Sequence, residues 1–176
     1  MTLFVDEEKE HARLLERMVT RFGGEPLRRH WTHQLFRLAR RAFGLKFELQ
    51  VLVIAELVGT AYYQLLKLRT TDPVLDAVCD LLLRDEVRHV QFHAEWLGTM
   101  QARWLPAECD AWSLQFQLLF TAAAKVAWFD HAIALKLSGA NKREFFGSAR
   151  AECIHFLKQL GECSEARAPL WKATSA

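Results

Sequence analysis

The chain of 176 residues is long enough for one domain with a self-sufficient core, and 51% hydrophobic with 25% charged residues is ordinary for a globular protein. A formal charge of +2 is too small to argue for a nucleic-acid partner or an anionic membrane. Cys79, Cys109, Cys153 and Cys163 show no CxxC or paired spacing, and Cys79 and Cys153 fall on apolar stripes, so reduced buried thiols in a cytoplasmic protein are expected.

The opening MTLFVDEEKE turns acidic at once and reads as no signal peptide. Apolar residues at helical spacing predict a first helix over 3–22, ended by Gly23, Gly24 and Pro26. A second is predicted over 30–42, where Arg37, Arg40 and Arg41 join Lys46 in a basic run that reads as a solvated face. Helices over 44–69 and 73–103 follow, the latter capped by Asp72 with Pro73 in its first turn. Helix 108–138 contains a long apolar stretch, 114–137, whose interruption by Lys125, Asp130 and Lys136 argues against a transmembrane segment. Its all-round hydrophobicity fits burial between other helices. A last helix over 141–161 begins at Asn141, and the polar tail 162–176 is expected to fray. No strand-like alternation interrupts the series. The fold class is therefore all-α, a single helical domain over 1–161.

Three of these helices carry charge where the core should be. In 73–103 the apolar stripe runs through Leu75, Cys79, Leu82, Val90 and Leu97, and Glu86, His89 and His93 lie within it. In 3–22 the stripe Phe4, Ala12, Leu15, Val19 and Phe22 encloses Glu8 and His11. In 44–69, apolar on nearly every side, Glu56 is the lone charge between Glu48 and Lys67. A buried, unpaired carboxylate costs several kcal/mol or is forced to protonate. A shared pair of divalent cations removes that cost on all three helices, and Glu-x-x-His sets both side chains on one helix face. Chance in this composition predicts fewer than one Glu-x-x-His, yet there are three. The third, Glu152 with His155, is a decoy, because His155 points well off the stripe Phe145, Ala149, Cys153, Phe156 and Leu160.

Glu8-x-x-His11, Glu56 and Glu86-x-x-His89 on successive long helices resemble the pattern of the ferritin-like di-iron carboxylate superfamily. The 30 residues from Glu56 to Glu86 suit an antiparallel pair, and the longer interval from His11 to Glu56 suits a crossover containing helix 30–42. The resemblance covers residues 3–103 and implies an antiparallel bundle with a crossover helix, to which the two C-terminal helices are additions. It implies Glu8, His11, Glu86 and His89 as ligands and Glu56 as a bridging carboxylate. It also places Glu7 and Asp85 as acids that hydrogen-bond the ligand histidines. Thr60 lies one turn after Glu56, as in oxygen-activating relatives, Gly59 would leave room for a small molecule, and Tyr63 two turns on shares that face; ordinary packing is the other reading of Thr60 and Tyr63. The family pattern has one more carboxylate on an earlier helix, and seven residues precede Glu8. An upstream helix or a second subunit of a homo-oligomer would supply it, or His93 or Asp130 would substitute. A core histidine and a buried Asp–Arg pair are the plainer readings of those two.

The implied cofactor is two iron ions, or iron with manganese, since hard carboxylates outnumber nitrogens and thiolates are absent; no organic cofactor is expected. The implied activity is an O₂-dependent oxidoreductase acting on a small molecule, with no nucleic-acid partner. A non-catalytic metal-binding or degenerate helical scaffold is the alternative, because one bundle hosts many chemistries.

Overall fold

Proline, glycine and short polar caps set the ends of five helices. They are α1 (Thr2–Arg21), α2 (Leu45–Arg69), α3 (Pro73–Gln101), α4 (Pro106–Leu137) and α5 (Lys142–Thr174). The structure is a computed structural model that describes residues 2–26, 38 and 44–174. Among the described residues there is no strand, and the all-α expectation holds. The predicted crossover helix 30–42 and Arg37, Arg40 and Arg41 lie outside the described residues.

Asp72 caps α3 through Oδ1, which accepts from the backbone N–H of Val74 at 2.9 Å and of Leu75 at 2.8 Å. Its Oδ2 accepts from Arg21 at 2.8 Å, tying the end of α1 to the start of α3. Asn141 and Glu144 form a reciprocal capping box at the start of α5, each side chain bonded to the other's N–H at 3.0 Å. After α1 and α4, Gly23 and Gly139 adopt φ of 76° and 85°. Their followers close the turn, Gly24 N–H onto Val19 C=O and Ala140 N–H onto Leu135 C=O, both at 2.9 Å.

The core forms along α2, which packs against α3, α4 and α5 and buries Val53, Leu57, Ala61 and Leu65. The Lys67 ammonium reaches Asp76 and Asp80 of α3, while Glu56 faces His89, so α2 and α3 run antiparallel. Gln64 with Ser148 and Glu152, and Arg69 with Glu144, set α5 antiparallel to α2. Phe116 of α4 stacks between Trp112 at 5.0 Å and Phe156 of α5 at 5.2 Å, joining the two C-terminal helices to the core.

Two expectations are corrected. Helix α5 does not stop at residue 161 but runs to Thr174, since Gly161 alone does not end a helix. Helix α4 is not enclosed. It buries Trp112, Phe116, Phe120, Ala124 and Leu135 on one face and turns Leu114, Leu118, Phe129, Ile133 and Leu137 outward. Both α2 and α4 are long and apolar enough to cross a membrane, each with a mean hydropathy of 1.4. Half of that stretch is buried by neighbours in α2 and 17% in α4.

Phe116→Ala is expected to destabilise the chain by about 3–5 kcal/mol, because it empties a fully enclosed aromatic site. His155→Ala, at an exposed position, is expected to stay within about 0.5 kcal/mol. Urea denaturation of both variants checks this.

Candidate metal centre

The contacts between α1 and α3 run in reverse order, Arg21 with Asp72, His11 with Asp85 and Glu7 with His89, so these helices are antiparallel. One turn separates Glu from His in each Glu-x-x-His, so both pairs project into the seam. Glu56 enters it from α2. The five side chains singled out in the sequence therefore meet. His89 Nδ1 lies 3.2 Å from Glu8, 3.5 Å from Glu86 and 3.8 Å from Glu56. His11 Nδ1 lies 3.6 Å from Glu8 and 3.9 Å from Glu86. The two imidazole centroids are 5.8 Å apart.

Each ring is held from behind. His11 Nε2 lies 3.1 Å from Asp85 Oδ2, and His89 Nε2 lies 3.1 Å from Glu7 Oε2. A carboxylate accepts, so both Nε2 atoms carry the proton, and in the neutral rings Nδ1 presents its lone pair inward. Arg88 donates to Glu7 Oε1 at 2.9 Å and to Asp85 Oδ1 at 2.7 Å, joining the two supports. Glu7 and Asp85 each contact one of these histidines. Arg88 escaped the sequence reading, although its spacing three residues after Asp85 on one helix face was a usable signal.

Lone pairs aimed at carboxylates repel unless a proton or a metal ion lies between them. Burial raises the Glu56 pKa to about 7; its contact with His89 pulls the other way and Glu86 adds to the rise. Burial alone would lower the His89 pKa, but contacts with Glu56, Glu8, Glu86 and Glu7 outweigh it and push the value up to about 12. A proton on His89 therefore offsets part of the buried negative charge. His11, Glu86 and His89 are at most 5% exposed, and Glu56 is 9% exposed. The Glu8 side chain, at 42%, forms the open wall.

Ligand atoms of Glu8, Glu56 and His89 lie within 4.8 Å of one another, close enough to share one cation. Glu86 spans the two rings, with Oε1 toward His11 and Oε2 toward His89. Buried Glu8 Oε1 and Glu86 Oε2 face His89 Nδ1, at 3.2 Å and 3.5 Å, an arrangement that suits a shared proton or cation. The resemblance casts Glu56 as the bridge. In this geometry Glu86 and Glu8 lie between the rings, and the described Glu56–histidine contact is with His89.

Thr60 is buried one turn beyond Glu56 and donates its hydroxyl proton to the Glu56 carbonyl at 2.9 Å. Tyr63 faces the cluster: burial, then Glu86, Glu56 and Glu8, push its phenol pKa up, and it keeps its proton. Its ring edge lies 3.6 Å from where a Cβ on Gly59 would stand. His93 is buried, and burial lowers its pKa to about 4 despite the pull of Glu56, so it is a neutral imidazole. It is not in the group of converging ligand atoms. Asp130 is half-buried on α4, which packs on α2 and α5, and its neighbour His131 meets Tyr62 at 5.1 Å. It too is outside that group. The decoy separates cleanly. Glu152 accepts from Gln64 at 2.7 Å, and His155 is exposed.

Folding raises the proton affinity of both Glu56 and His89, so through these two groups the metal-free folded chain loses stability as pH rises, against a smaller opposite contribution from His93 below pH 6.5. The Glu56 share is lost from pH 4.5 through about 7, and the His89 share from 6.5 toward about 12. With chelator present, the urea midpoint is expected to be higher at pH 5.5 than at pH 8.5, and Glu56→Gln should shrink the difference. A midpoint that rises over this interval would contradict the charge arrangement.

Comparison with protein-family models, with curated proteins and with solved structures finds no match to this chain.

Proposed function

We propose that this chain is a ferritin-like dimetal-carboxylate protein that holds two iron ions, or iron with manganese, and acts as an O₂-dependent oxidoreductase on a small molecule. One observation carries the reading: two imidazoles on separate helices turn Nδ1 toward three carboxylates, each braced at Nε2 by its own acid. Outer-shell acids of this kind fix tautomer and ring direction in metal-binding histidines. The donor set, rich in carboxylate oxygen with imidazole nitrogen and no thiolate, favours iron or manganese over zinc or copper.

In this reading Glu8, His11, Glu56, Glu86 and His89 would hold the ions. Bound iron would supply the electrons that reduce dioxygen. The protein's own share is positional. Glu7, Asp85 and Arg88 hold the rings in register, and the raised proton affinity of His89 means that loading a metal displaces a proton. Tyr63 keeps its phenolic proton beside the carboxylates, whereas the Thr60 hydroxyl has spent its proton on the helix backbone and offers an acceptor oxygen. The open wall at Glu8 is where a further carboxylate, from an upstream helix or a second copy, would enter. That same openness favours the second reading, a metal-holding protein without oxygen chemistry.

Anaerobic reconstitution with ferrous iron is expected to leave about two ions per chain and to release protons on loading. Glu86→Ala should abolish retention, and Glu152→Ala should leave it intact. Equal losses would dismiss the site. Mixing the loaded chain with dioxygen should give stoichiometric oxygen uptake and a transient visible absorbance; retention of iron without either would establish the second reading.

A further inference from the structure

A pocket opens at the N-terminal end of α2, and its chemistry is independent of the carboxylate cluster. Lys46, Phe47 and Gln50 of α2, Trp104 beyond the end of α3, and Trp112 and Gln115 of α4 line a cavity of about 330 Å³. Gln50 is 2% exposed, yet its Nε2 has no hydrogen-bond partner. Leaving a buried amide donor unmet is costly, and such groups mark a missing partner. Lys46 supplies a positive charge at the exposed rim. Among the described residues no carboxylate pairs with it, and its ammonium rests 5.0 Å over the Trp104 ring.

Two of the walls are aromatic. Trp104 and Trp112 stand 6.4 Å apart at 60°, and Trp112 is fixed from behind by the Phe116 stack. Among the described residues no acidic side chain lines the cavity. Its polar equipment is an ammonium and two carboxamides, set against two indole faces. A ligand that satisfies all of them has a flat apolar body and an anionic, acceptor-only head. The volume lies at the small end of the range for ligand sites and suits one or two rings.

We propose that this pocket binds a small aromatic monocarboxylate, its ring against Trp104 and Trp112 and its carboxylate on Lys46 and the Gln50 amide. Gln50 precedes Glu56 by six residues, roughly 9 Å along the helix at the usual rise, so the pocket and the carboxylate cluster are separate places on one helix. The test uses chelator-treated protein, so its outcome does not depend on the metal reading.

Isothermal titration with 2-naphthoate is expected to show one saturable site with Kd below about 1 mM, and the neutral 2-naphthamide to bind at least about tenfold more weakly. Lys46→Met should weaken naphthoate binding by about tenfold, whereas Lys125→Met on the outer face of α4 should not. Gln50→Leu gives a signature that a merely structural glutamine cannot: weaker binding together with a higher urea midpoint, because the unmet donor is gone. Absence of saturation up to about 10 mM, equal binding of acid and amide, or unchanged binding in Lys46→Met would overturn the proposal. A lower urea midpoint in Gln50→Leu would equally show that the amide already has a partner.

Discussion

Negative charge buried in a helix seam is the constraint around which this molecule is organised. Glu8, Glu56 and Glu86 converge on two imidazole lone pairs, and nothing in such an arrangement is attractive until a positive charge enters it. In the metal-free chain a proton on His89 fills that role, at the expense of a strongly raised proton affinity. A divalent cation offers the same compensation with more charge and more ligand directions. A metal ion bound there would compete with protons for one place, in a competition set by helix geometry rather than by any single residue.

The rest of the fold supplies the rigidity this requires. The antiparallel α2–α3 pair brings Glu56 opposite His89, while the Arg21–Asp72 tie and the two imidazole–acid contacts fix the register of α1 against α3. Helices α4 and α5 lock onto the far side through the stack of Trp112, Phe116 and Phe156. Their contribution is mechanical, since the charged cluster draws its ligand atoms from the first three helices. The aromatic pocket at Lys46 and Gln50 occupies the junction where these two halves of the molecule meet.

Much of the cluster was legible because polar residues stood inside apolar stripes. Glu8, His11, Glu86 and His89 could be told from Glu152 and His155 on a helical wheel, since rotation about a helix is a local property. Helix starts at Asp72 and Asn141 were legible for the same reason: a cap is written in four consecutive residues. Placement between helices was not. Which carboxylate lies between the two rings depends on the relative rotation of α1, α2 and α3, and here it is Glu86, not Glu56, that divides its oxygens between them. The outward apolar face of α4 was hidden because hydrophobicity on all sides describes a helix, not its neighbours. His93 lay on the right stripe, yet one further turn along α3 left it outside the converging atoms. The pocket is assembled from segments around residues 46, 104 and 112, too far apart in sequence for any local pattern to join them.

Arg88 deserves a different kind of reading from its exposure. More than half of its side chain is in solvent, as for any surface arginine. Yet its guanidinium grips the two acids that steer both rings, so the outside of the molecule has a handle on its interior. Tolerance to substitution at this position should accordingly be much narrower than solvent accessibility alone would suggest. Charge reversal there would let Glu7 and Asp85 swing apart and carry both imidazoles with them, disturbing two helices through one solvated side chain.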